Sequence, residues 1–245
     1  MLTNDETKRL KQAILAAIAS PLIGSIEDYS WEAIFHYIKN IPLSDPALGR
    51  SKLLYDAVDS KTASGWSLKS LQLNSLTTDN TFLFVIQRAD IIKKAIQLGL
   101  PSLNMQSSPA QLGTAIIQHW NEKIRSSQTA QNVINSYEGI LLKNREGNEY
   151  VYCEYPLNPL DPNVFSWAWT IDKKTGGVGA GLQGSIAGKT ELVWYKNQKQ
   201  LFRSRTIPAA AIRLRIERTR LTIDRYVETI FAALQTQTNT QDFVP

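Results

Sequence analysis

Residues 53–73, Leu-Leu-Tyr-Asp-Ala-Val-Asp-Ser-Lys-Thr-Ala-Ser-Gly-Trp-Ser-Leu-Lys-Ser-Leu-Gln-Leu, hold an acid and a lysine in a pattern that suits phosphate chemistry. Asp56 sits near the end of one apolar run, a turn-like stretch follows, and Ser67 and Lys69 lie two apart in a second run. Side chains alternate faces along a strand, so a hairpin here sets Ser67 and Lys69 on one face with Asp56 beside them on the partner strand. A carboxylate next to a lysine amine is a common way to hold a hydrated Mg²⁺ and orient a water for attack on phosphate. On spacing alone, the same residues also fit an ordinary hairpin carrying one Asp and one Lys.

The segment resembles the core of the PD-(D/E)xK nuclease superfamily, and in its wording type II restriction endonucleases. In these an Asp ends one strand and a following G-x-E-x-K strand supplies an acid and a lysine. The matching residues are Asp56 and then Gly65, Trp66, Ser67, Leu68 and Lys69. Asp59 is the rival for the first acid, closer to the turn. Ser67 stands where Glu or Asp is usual; some restriction enzymes of the superfamily use Ser there and recruit an acid from a helix. A softer resemblance runs through Trp194-Tyr195 and Gln200-Leu201-Phe202 to Ile207-Pro208, a phrase similar to one late in several restriction enzymes.

The resemblance implies an α/β (α+β) fold with a mixed central sheet flanked by helices, and a β-rich C-terminal half. It implies a sequence-specific endonuclease for double-stranded DNA, with Mg²⁺ as cofactor and a homodimer as the working form. Asp56 would ligate the metal and Lys69 would orient the attacking water. Because Ser67 brings no charge, a further acid is needed: Glu32 first, with Asp59 and Asp90 behind it. Two other classes compete: a DNA-binding protein with a degenerate nuclease core, and a β-rich carbohydrate- or protein-binding module.

The charge distribution favours nucleic acid. Seven of the twelve arginines fall within 203–225: Arg203, Arg205, Arg213, Arg215, Arg218, Arg220 and Arg225, opposed there only by Glu217 and Asp224. Clustered arginines are the footprint of a phosphate-backbone binder, and their planar forks suit phosphate and guanine edges. The first six are the expected DNA contacts.

Other signals exclude functions. Gly184 to Gly188-Lys189-Thr190 resembles a phosphate-binding loop, but three residues rather than four separate the glycines and the following Thr190–Tyr195 stretch reads as strand, so no nucleotide cofactor is expected. Two histidines, His36 and His119, and one cysteine, Cys153, assemble no zinc quartet of the usual kinds. The single cysteine also rules out an internal disulfide and fits a reducing cytosol. No apolar run approaches the ~20 residues of a membrane helix. Asp5 and Glu6 precede the apolar stretch 13–19 and Lys8, Arg9 and Lys11 crowd it, so a secretory signal is not expected. The expected location is cytoplasmic.

Elements must position these groups. Thr3 and Glu6 form a capping-box pattern ahead of a helix to about residue 19. A second helix is expected over 26–39, with Trp31, Ile34, Phe35 and Ile38 as its stripe. Phe82–Ile86 reads as a buried central strand, followed by helices over 89–98 and 109–126, the latter opened by Ser108-Pro109. From about 137 the pattern turns to β: a hairpin around 145–148, an alternating strand Phe165-Trp167-Trp169, a pair around Asn197, and an extended segment with Arg213 and Arg215 on one face. The aromatic strand reads as a sheet core more readily than as a stacking platform. Ile223, Tyr226, Val227, Ile230, Phe231 and Leu234 fit a closing helix. The expected division is 1–130, helices and hairpin, and 131–245, β-rich, or one continuous domain.

Overall fold

The Thr3 hydroxyl accepts from the Glu6 N–H at 3.2 Å and the Glu6 carboxylate accepts from the Thr3 N–H at 2.7 Å, so the first helix starts with its exposed donors satisfied. That helix, α1 (Asn4–Ala19), opens the fold in a computed structural model that describes residues 1–22, 25–42, 53–172, 174–217 and 219–241. Arg218, one of the expected DNA contacts, lies outside the described residues. α2 (Asp28–Lys39) ends at Asn40, whose left-handed backbone (φ 54°) closes it. The strands are β1 (Ala57–Asp59), β2 (Ser64–Gln72), β3 (Thr81–Arg88), β4 (Asn135–Lys143), β5 (Glu149–Pro156), β6 (Ser166–Ile171), β7 (Val178–Ile186), β8 (Lys189–Tyr195), β9 (Gln200–Thr206) and β10 (Ile212–Arg215). Between β3 and β4 come α3 (Ile91–Lys94) and α4 (Pro109–Gln131), and α5 (Ile223–Gln241) follows β10.

These elements make a mixed α/β fold with two sheets. The first has the order β1-β2-β4-β5-β10 and is parallel only at β2–β4; the second, β3-β9-β8-β7-β6, is antiparallel throughout. Alternation along the first sheet divides the interior in two. Trp66, Leu68, Leu141, Tyr150 and Tyr152 pack with Leu10, Ile14, Trp31 and Phe35 of α1 and α2. Ile140, Leu142, Val151 and Cys153 face the other way, onto Ile116 and Trp120 of α4 and Phe84, Leu192 and Trp194 of the second sheet. Each such buried side chain contributes about 1.5–3 kcal/mol. The first sheet is therefore a wall between two cores, and the hairpin expected to do chemistry forms one edge of it.

Several expectations need correction. The Phe82–Ile86 run is a strand, but it is the edge of the second sheet, with Phe82, Phe84 and Ile86 buried and Leu83 exposed. The helix expected over 89–98 is the four-residue α3. Residue 130 does not divide the molecule: β2 pairs with β4 in the first sheet, and β3 with β9 in the second. The segment resembling a phosphate loop is a β7–β8 hairpin turning at Ala187 and Gly188, both with positive φ, and offers no helix N-terminus. Among the described residues no helix is long and apolar enough to cross a membrane.

Candidate functional site

β1 is short, and its length decides the geometry of the site. It pairs with β2 only from Asp59 opposite Ser64 to Ala57 opposite Trp66, with the Asp56 N–H donating to the Trp66 carbonyl at 2.9 Å. Beyond that point the outward N–H groups of β2 have no strand partner among the described residues, and carboxylates take two of them. Asp56 Oδ2 accepts from the Leu68 N–H at 2.7 Å, and Asp28 Oδ1, from the first turn of α2, accepts from the Ser70 N–H at 2.7 Å. Two residues along a strand separate these donors by about 7 Å. Each carboxylate thus has one oxygen fixed by backbone and one remaining.

Lys69 stands beside them. Its ammonium lies 3.9 Å from Asp56 Oδ2 and donates to the Leu68 carbonyl at 2.6 Å. The Asp56 side chain is only 27 % exposed. Burial pushes its carboxyl above the ordinary value; Lys69 and the Leu68 N–H pull it back, and nearby Asp28 adds to the rise. Lys123, half-buried on α4, is a third member: burial pushes its amine down, Lys69 adds to the fall and Asp56 opposes it. Ser67 is buried and stands opposite Glu138 in the parallel β2–β4 register.

The surrounding chain holds these groups in place. His36, buried on α2, has Nε2 3.1 Å from the Asp56 carbonyl and Nδ1 2.9 Å from the Pro42 carbonyl. Lys143 is buried and its ammonium binds Ser25 Oγ at 2.6 Å, the Ile26 carbonyl at 2.5 Å and Glu27 Oε1 at 3.1 Å. It ties the entry of α2, and with it Asp28, to β4.

Of the residues singled out in the sequence, Asp56, Ser67 and Lys69 come together on the hairpin as the alternation requires. Asp59 is three residues away at the turn, where its carboxylate accepts from the Lys61 N–H and the Thr62 hydroxyl, the latter holding it below the usual range. Asp90 caps α3 and pairs with Lys199 at 2.8 Å beside the second sheet. Glu32 is half-buried one turn after Asp28 on α2; Asp28 is the α2 acid seen bonded to β2. Asp28, Lys123, His36 and Lys143 were missed. Asp28 reads in sequence only as a favourable first-turn acid, and nothing local ties it to a residue 28 positions on.

The arginines divide into two sets. Arg203 and Arg205 of β9 reach across to Glu138 of β4, at 3.3 Å and 2.6 Å, and Glu138 is 2 % exposed. Arg205 also lies over the Tyr155 ring. These two hold the sheets together, which corrects their reading as DNA contacts. Arg213, Arg215 and Arg220 are exposed. Arg213 donates to the Leu76 carbonyl and to Thr78 Oγ1. With Arg215 it lines a cleft of about 560 Å³ shared with Asn74, Thr77 and Asn144. That cleft lies along β10, the sheet edge opposite the Asp56 hairpin, about 19 Å away at four strand spacings.

The aromatic residues of the edge strand β6 are half-buried, packed against the larger core. A Cβ on Gly113 of α4 would lie 2.3 Å from the Trp167 ring, so helix and ring touch only because that position is glycine. No protein-family model, no curated protein and no solved structure matches the chain.

Proposed function

We propose that this protein is a Mg²⁺-dependent endonuclease acting on double-stranded DNA at a short specific sequence, as the resemblance of its hairpin to the PD-(D/E)xK core implies. The observation that carries the reading is Asp56 and Lys69 at 3.9 Å on the open edge of β2, with Asp28 bonded to the same edge two residues on. Two hard carboxylate oxygens fit Mg²⁺, which is held by one or two carboxylates with waters and phosphate oxygens completing its shell. Among the described residues no group of three or more such ligands occurs. Asp56 and Asp28 would hold the ion, and when bound it supplies Lewis-acid stabilisation of charge on the scissile phosphate.

Asp28 stands in for the acid lacking at Ser67. Lys69 orients the attacking water by hydrogen bonding and, with Lys123, offers positive charge where the phosphate becomes more negative. Water oxygen bonds to phosphorus and releases a proton to solvent, the bond to the leaving sugar oxygen breaks, and that oxygen takes a proton from solvent. Arg213, Arg215 and Arg220 remain as contacts to the duplex, and a homodimer with one site per strand is the form this reading implies.

A second reading, a DNA-binding protein with an inactive core, is favoured by Ser67 itself. Incubation of the purified chain with plasmid separates the two. Linear or nicked product that needs Mg²⁺, and is lost in both Asp56→Ala and Lys69→Ala while duplex binding persists, supports the nuclease. Binding without cleavage by the unaltered chain moves the second reading ahead. The packing of half-buried Trp167 between Gly113 and Gly184 speaks against the carbohydrate- or protein-binding alternative.

A further inference from the structure

Ile223, Val227, Ile230 and Leu234 on α5 follow one another at spacings of four, three and four residues. That is the two-per-heptad seam of paired helices, narrower than the face a helix turns toward a globular core. The four are 51, 55, 44 and 56 % exposed, and Phe231 beside the seam is 60 % exposed. A lone helix of this length is marginal in water, so its seam calls for a cover.

The apolar sides of α1, α2 and α4 are already committed to the two cores. The charged residues of α5 fall off the seam: Asp224 stands apart, and Arg225 pairs with Glu228 at 3.6 Å. From Thr229 to Gln241 there is no charge, so the helix meets a copy of itself without repulsion and offers a charged partner nothing to match. We propose that α5 pairs with α5 of a second copy of this chain, making a two-fold helix–helix interface. The helix is about 28 Å long at 1.5 Å per residue. A contact along a single helix of that length is small beside the ~800 Å² per partner of a standard interface, and we expect it to titrate in the micromolar range. The pairing does not rest on the nuclease reading: an inactive chain pairs in the same way, and a monomer that cleaves DNA leaves the nuclease standing while removing the pair.

The test is the mass of the full chain by sedimentation equilibrium over roughly 1–200 µM, the range in which a micromolar pair titrates. The unaltered chain is expected to pass from monomer to dimer. Val227→Asp with Ile230→Asp should stay monomeric throughout, with the melting temperature of the two cores unchanged because neither side chain is in a core. Thr229→Asp, on the outer face of the same helix, should dimerise as the unaltered chain does. A monomer at every concentration for the unaltered chain, or a dimer that survives the double change, overturns the proposal.

Discussion

Asp56 must be charged to hold a cation, yet its carboxylate is mostly buried and its folded-state pKa is raised. A raised pKa means that the folded chain binds this proton more tightly than the unfolded chain. Asp56 therefore favours the fold below its ordinary value, and that contribution is lost as pH rises through the folded value. At neutral pH the charged group is a cost. Asp56→Asn, which keeps an acceptor for the Leu68 N–H, is expected to raise the melting temperature at pH 7 in the absence of metal, with the difference vanishing near pH 3, while cleavage is abolished. Adding Mg²⁺ should then stabilise the unaltered chain and not the variant. A lower melting temperature at pH 7 would mean that the Lys69 ion pair outweighs burial. Asp28→Asn should raise the Mg²⁺ needed for cleavage by about 10–100-fold, whereas Glu32→Gln should leave it near the original. The reverse result would move the second acid to Glu32.

A buried charge cluster and a close approach are among the contacts that join the elements. Glu138→Gln would take from Arg203 and Arg205 the carboxylate they share between the sheets, leaving Glu191 as the acid near Arg203. Breaking a buried pair in this way costs about 3–5 kcal/mol, which urea unfolding would read. Arg203→Ala should likewise lower stability and leave duplex affinity per folded molecule unchanged; loss of affinity in a fully folded Arg203→Ala protein would return it to the DNA surface. Gly113→Ala sets a gain against a clash. Helix propensity favours alanine by about 1 kcal/mol, but the new methyl would lie 2.3 Å from Trp167, and overpacking of this kind costs about 1–3 kcal/mol. Net destabilisation is expected, with α4 displaced from β6.

For the whole molecule, the Asp56–Lys69 hairpin and the exposed arginines occupy opposite edges of one sheet whose two faces are both covered, so on the proposed reading a duplex reaches both only around the ends of the strands. Binding should fall with salt by about 0.9 log units per log unit for each phosphate neutralised. Arg215→Ala and Arg220→Ala should each make that slope shallower by about one if they touch phosphate alone. If one of them reads guanine, it should instead cost about 1–3 kcal/mol on the cognate site only. Affinities over a salt series on specific and non-specific duplexes distinguish these. No change for either variant would remove β10 and its sequel from the DNA surface.

Much that depends on neighbours in the chain was legible in the sequence, though not the shortness of α3. Thr3 with Glu6 and Ser108 with Gln111 cap their helices, Ser67 and Lys69 share a face, and Arg213 and Arg215 alternate with Ile212 and Leu214. Hydrogen bonding over three residues and strand alternation over two decide these, and neither needs a distant partner. Only the tertiary structure decided which faces are covered. Alternation is the same whether an arginine points to water or to Glu138, and the Arg203 and Arg205 pairing needed β9 stacked over β4. The spacing in α5 likewise reads as a core helix or an open seam until the exposure of Ile223, Val227, Ile230 and Leu234 is seen. Asp28 and Asp56 are neighbours because β1 stops short and leaves N–H groups of β2 for acids from two elements. That proximity is set by packing α2 on one face of the sheet, and no local pattern carries it.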